Sequence, residues 1–149
     1  NEILQTVPFH SENQFSVQMV LYENGFSGGC LEVKSVVADS DSPSEKTVPV
    51  VTVDLTNNRI VASDQEMKFQ AAESIFGLYQ LDFAKQENGW ICNFCGESFP
   101  VDIPEGTLVE VSVSAADGES LTLDSLTVLN SISKQADLYQ KPVSVTWQP

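Results

Sequence analysis

Positive charge is scarce in this sequence: seven Lys and Arg stand against 21 Asp and Glu, a formal net charge of −14 over 149 residues. The seven (Lys34, Lys46, Arg59, Lys68, Lys85, Lys134 and Lys141) are scattered, with no two adjacent. Nucleic-acid phosphates are neutralised by clustered Lys and Arg, so nucleic acid is excluded as a partner. Anionic lipid repels such a chain for the same reason. No apolar run approaches the ~20 residues a membrane span requires, so no membrane insertion is expected. Asn1-Glu2-Ile3 has neither a basic n-region nor an apolar h-region, so any signal peptide has been removed or never existed.

Histidine occurs once, at His10, in a polar N-terminal stretch. Triad catalysis needs a base held by an acid, and a lone terminal His reads as a solvated residue instead. Phosphate loops, nucleophile elbows and HExxH helices are all missing. Paired carboxylates remain, but 21 acidic residues offer some pair in any fold. The chain is therefore expected not to be an enzyme, with a small carboxylate-dependent hydrolase as the remote alternative.

Cysteine is also sparse: Cys30, Cys92 and Cys95. Three are too few for a disulfide-built miniprotein. Cys92-Asn93-Phe94-Cys95 is half a zinc-knuckle pattern with no second pair, and Gly96 and Pro100 follow it where a redox CxxC would open a helix. One disulfide among the three is expected, with unpaired thiols and a metal site as the alternatives.

What is present is period-two alternation. Phe15, Val17, Met19 and Leu21 share one face of a strand, and Leu31-Glu32-Val33-Lys34 alternates likewise. Val51 to Leu55 and Arg59 to Val61 flank Thr56-Asn57-Asn58, a hairpin signature, because Asn tolerates positive φ. Val109 to Ser114 runs to Asp117-Gly118, the strongest short hairpin signal here, with Leu121 to Val128 as the expected partner. The apolar phase slips by one between Leu123 and Leu126, as a bulge produces. Trp90, Cys92 and Phe94 alternate after the turn Glu87-Asn88-Gly89, and Val143 to Trp147 closes the chain.

One segment breaks the pattern. Ser63-Asp64-Gln65-Glu66 is a capping box, and Met67, Ala71, Ala72, Ile75 and Phe76 follow at helical spacing before Gly77. A short helix is expected near residues 64–76, against a strand reading that uses Met67, Phe69 and Ala71. Ile132, Ala136 and Tyr139 suggest a helical turn within 131–141. The fold class is thus mostly β, an antiparallel β-sandwich or jelly roll in one domain spanning 1–149, with one short helix.

Two resources suit binding. Aromatic faces stack on sugars or anchor proteins, and Trp90, Tyr22 and Tyr79 lie beside polar neighbours. Asn88, with Asn93 and Gln18, can hydrogen-bond sugar hydroxyls. Asp39 and Asp41 share a polar loop, and Asp124 flanks the last hairpin, so these three are the calcium candidates. Solvated carboxylates are the plainer reading of all three.

Gly118-Glu119-Ser120-Leu121-Thr122-Leu123-Asp124-Ser125-Leu126-Thr127-Val128 resembles the late strand of jelly-roll carbohydrate-binding modules. That resemblance implies a sugar-binding accessory domain, with a structural calcium to which Asp124 contributes. The hairpin containing Val51-Thr52-Val53-Asp54-Leu55 is similar to cohesin-type sandwiches, which bind a protein module. Both resemblances cover short stretches and both imply a non-catalytic module. The expectation is a secreted or cell-envelope binding module whose partner is a glycan, or alternatively a protein.

Overall fold

The computed structural model describes residues 3–38, 45–70, 77–130, 136–139 and 143–146. The alternating segments become strands β1 (Ile3–Gln5), β2 (Phe9–His10), β3 (Gln14–Phe26), β4 (Cys30–Ala38), β5 (Glu45–Asp54), β6 (Arg59–Ala62) and β7 (Gln65–Lys68). The second half supplies β8 (Leu78–Gln86), β9 (Gly89–Phe94), β10 (Glu97–Val101), β11 (Leu108–Ser114), β12 (Ser120–Asn130), β13 (Ala136–Tyr139) and β14 (Val143–Thr146). They form two antiparallel sheets. The first has the order β1-β11-β4-β5-β6-β7, with β2 also beside β11. The second has the order β10-β9-β8-β3-β12-β13, with β14 also beside β12.

The inward faces make one core, filled by the residues whose parity the sequence displays. Val17, Met19, Leu81, Leu121 and Leu126 from the second sheet meet Leu31, Val33, Val53, Val111 and Val113 from the first. Removing each such side chain from water contributes about 1.5–3 kcal/mol. At one end the core is aromatic. Phe15 stacks on Phe83 with ring centroids 4.4 Å apart, and Phe9 and Trp90 approach Phe15 at 5.6 and 5.8 Å.

Three local expectations are corrected. No helix forms over residues 64–70; Ser63-Asp64 is a tight turn, and Gln65–Lys68 pairs antiparallel with Arg59–Ala62. The period-two reading wins because it sends Phe69 into the core, edge-on to Tyr79 and Phe94. The remainder of that expected helix, 71–76, lies outside the described residues. Ala136–Tyr139 is likewise a strand, pairing with Leu126–Val128, where a helical turn was expected.

The third correction concerns Asp117-Gly118. The turn forms, with Gly118 at φ 79° and Glu119 N–H bonded to Ala116 C=O at 2.9 Å. It does not close a hairpin, because β11 belongs to the first sheet and β12 to the second. A turn dipeptide sets only the local reversal of the chain. Which sheet each strand joins depends on the long-range pairing of Val111 with Val33 and of Val128 with Val17. The expected irregularity in β12 is present, as register shifts against β3 on both sides of Leu123.

Candidate functional site

The aromatic anchors move first. Trp90 is 6% exposed and Tyr79 2%, so both belong to the core and not to a binding platform. Each sits at the inward parity of its strand, where an aromatic ring removes the most apolar area from water. One edge of Trp90 lines a cavity of about 220 Å³ at the end of the sandwich, with His10, Glu12 and the Lys85–Glu105 ion pair. Asn88 is exposed at the β8–β9 turn. For Tyr22 the structure describes only the backbone, within β3.

Of the calcium candidates, Asp124 alone lies among the described residues, exposed on β12; Asp39 and Asp41 lie outside them. Among the described residues no three His, Cys, Asp or Glu side chains converge as a metal site would require.

The expected disulfide is also corrected: none links the three cysteines. Cys30 faces outward from the first sheet, where it lines a cleft with Thr52 and Asp54. Cys92 faces inward from the second sheet, and Cys95 occupies the exposed β9–β10 turn. A sheet therefore stands between Cys30 and Cys92. Burial, helped by Glu32 and Asp54, pushes the Cys30 thiol up to about 12. Burial and then Asp82 push the Cys92 thiol up as well. Both shifts favour the protonated thiol over the more nucleophilic thiolate. In native protein only Cys95 should react quickly with a thiol reagent, and three thiols should titrate after denaturation. A denatured count of one would restore the disulfide.

Two outward surfaces carry polar chemistry. The first is the cleft of about 550 Å³ on the first sheet, where Ser114, Cys30, Asp54 and Arg59 follow one another across β11, β4, β5 and β6. Its carboxylates are committed to structure. Asp54 accepts from the Thr56 and Asn57 N–H groups at 3.0 and 3.2 Å, from Asn57 Nδ2 at 2.9 Å and from Arg59 Nε at 2.9 Å. Burial raises its carboxyl, but these bonds outweigh burial and hold it below its usual range. Glu119 accepts the Ala116 N–H at 2.9 Å and the Thr56 hydroxyl, tying the sheet-crossing turn to the β5–β6 turn.

The second surface is the outer face of the second sheet. Strand parity places Ser98, Asn93, Asp82, Ser16 and Leu129 in one row across β10, β9, β8, β3 and β12. Gln80, Gln18 and Thr127 form the next row. At a strand spacing of ~4.8 Å the five-strand row is about 19 Å wide. A hydrogen-bond chain runs over it: Gln18 Nε2 donates to Gln80 Oε1 at 3.1 Å, and Gln80 Nε2 donates to Asp82 Oδ1 at 3.0 Å. Ser16 Oγ donates to that same Oδ1 at 2.6 Å, and Ser98 Oγ donates to Asn93 Oδ1. Asp82 Oδ2 and Asn93 Nδ2 have no such partner among the described residues. Both residues border a depression of about 340 Å³ with Gln14, Ala84 and Leu129.

Sequence reasoning named Asn93 and Gln18 as hydrogen-bonding residues and missed Asp82, Gln80 and Ser16. The missed signal was available. Ser16 and Gln18 are the polar members of the strand read from Phe15 to Leu21, and Gln80 and Asp82 alternate in the same way with Tyr79, Leu81 and Phe83, a strand the sequence reading passed over.

The fold and this face define a two-sheet antiparallel β-sandwich with an amide- and hydroxyl-bearing outer surface. No family model matches the chain, and no curated protein matches it.

Proposed function

We propose that this chain is a non-catalytic binding module that recognises a carbohydrate through the outer face of its second sheet. The observation that carries this reading is the hydrogen-bond chain from Gln18 through Gln80 to Asp82. It fixes these side chains in place yet leaves donors and acceptors on a partly exposed outer face. Sugars present mixed donors and acceptors on a rigid ring, and preorganised amides and carboxylates match them without ordering new side chains. Stacking on Trp90 or Tyr79 has no part in it, since both rings are in the core.

The non-catalytic reading is supported by the second sheet's depression, whose lining includes a single carboxylate, Asp82. Glycoside hydrolysis uses two, roughly 5–9.5 Å apart. A secreted or envelope location belongs to the same proposal, since that is where structural polysaccharide is met.

The test is retention on neutral polysaccharides in affinity electrophoresis, followed by calorimetry. A Gln18→Ala/Gln80→Ala variant should keep the wild-type circular dichroism spectrum and bind at least tenfold more weakly. Unchanged binding would place the site elsewhere.

A protein partner is the second reading, favoured by an apolar strip at one end of the same face. Leu78 is 37% exposed there, directly opposite Val20 on β3. Retention of no polysaccharide, together with a protein captured through Leu78, would select it.

A further inference from the structure

The two sheets differ in where they carry positive charge. Lys34, Lys46, Arg59 and Lys68 all lie on strands of the first sheet. On the strands of the second sheet the one Lys or Arg is Lys85. Its parity is that of Phe83 and not of Asp82, and it is paired with Glu105 at 2.5 Å. The recognition face therefore offers Asp82 with no cation beside it among the described residues.

Asp82 is also oriented. Its Oδ1 already accepts from Ser16 and from Gln80, so the carboxylate plane is held by two donors from neighbouring positions. The other oxygen is left for a ligand, and an ionised carboxylate oxygen can only accept. Asn93 stands directly opposite on β9. Its Oδ1 is taken by Ser98, which leaves Nδ2 as a donor. Directly opposed residues on antiparallel strands bring their side chains within about 4.5–5.5 Å at Cβ. Acceptor and donor are thus presented together, at a spacing that spans two adjacent hydroxyls. One hydroxyl donates to Asp82, and the next accepts from Asn93.

We infer that the Asp82–Asn93 pair reads an adjacent hydroxyl pair of a neutral sugar and rejects uronic acids, a conclusion that rests on the glycan reading of this face. A ligand carboxylate brings an acceptor and a negative charge to a place that supplies an acceptor and a negative charge. Like-charge contact of this kind is a device of specificity, because it penalises the wrong ligand without strengthening the right one.

The experiment uses matched soluble polysaccharides: glucan with glucuronan, mannan with polymannuronate, and galactan with polygalacturonate. Binding is measured by calorimetry at about 0.15 M salt, and again near 1 M, where the Debye length falls to about 3 Å. Wild type should bind at least one neutral polymer and its uronate counterpart at least tenfold more weakly at both salt levels. Persistence at high salt separates a contact effect from the net charge of −14. Asp82→Asn replaces the acceptor with a donor of the same shape. It should weaken the neutral polymer at least tenfold and shrink the discrimination. Asn93→Ala should weaken the neutral polymer while leaving the discrimination in place.

A uronate bound as tightly as its neutral match overturns the inference and leaves the glycan reading standing. So does an Asp82→Asn variant with unaltered discrimination, or discrimination that vanishes at 1 M salt. Failure of wild type to bind any polymer of either class removes the glycan reading itself, and the inference with it.

Discussion

Trp90→Ala should destabilise the fold by about 3–5 kcal/mol, the range for emptying an aromatic from a packed core. Total stabilities of single domains run from about 5 to 15 kcal/mol, so the variant stands near the threshold of folding. The ring lies against Phe15, itself stacked on Phe83, so its loss opens a cavity where three aromatics meet. Neighbours on paired strands cannot close over such a cavity without shifting the β8–β9 register. Urea unfolding measures the effect directly. Trp90→Phe should retain most of the stability by keeping an aromatic ring in place. A Trp90→Ala protein with the wild-type urea midpoint would mean that the ring is not part of the core.

Gly29→Ala should cost about 2 kcal/mol or more, from two causes that a control separates. Gly29 has φ +136°, a conformation that an L side chain rarely adopts. A Cβ there would also meet the Leu121 side chain and lie 3.0 Å from the Ser114 carbonyl oxygen. The backbone cannot move aside freely. The Gly29 N–H donates to Thr56 Oγ1 at 3.2 Å, and its carbonyl accepts the Leu55 N–H at 2.9 Å. Gly89 has nearly the same φ, +131°, with nothing near its missing Cβ. Gly89→Ala therefore reports the conformational cost alone, and the excess at Gly29 is steric. Equal melting temperatures for the two variants would refute the close approach.

Most of the strands were legible because their apolar residues alternate cleanly with polar ones. Phe15 to Leu21, Val51 to Val53 and Val109 to Val113 each have one parity that water disfavours. The segment 64–70 misled because its capping-box residues are good helix starters locally, while Phe69 answers to partners far along the chain. Asp117-Gly118 misled in the same way: its two residues specify a reversal of direction and carry no information about sheet membership. Trp90 and Tyr79 were misjudged for a related reason, since polar neighbours in a strand occupy the opposite face and say nothing about the residue between them. The binding face was half legible. Asn93 and Gln18 stood out as amides, but Asp82 gains its meaning from Ser16 and Gln80, its donors on two strands.

The pairing of β1 and β2 with β11 has a consequence for how the molecule assembles. The Thr6 N–H bonds to the Val111 carbonyl across 105 positions of sequence, and Ile3 to Gln5 zip onto Ser112 to Ser114. During synthesis the opening strands therefore have no partner until β11 has emerged. The rest of that sheet, β4 to β7, is consecutive in sequence and can pair locally in the meantime. Domains dominated by such non-local pairings fold in milliseconds to seconds, whereas helical bundles take microseconds to milliseconds. The seam between β1, β2 and β11 therefore closes only after most of the first sheet has been made, and until it does the edge of β11 stays open to any other strand.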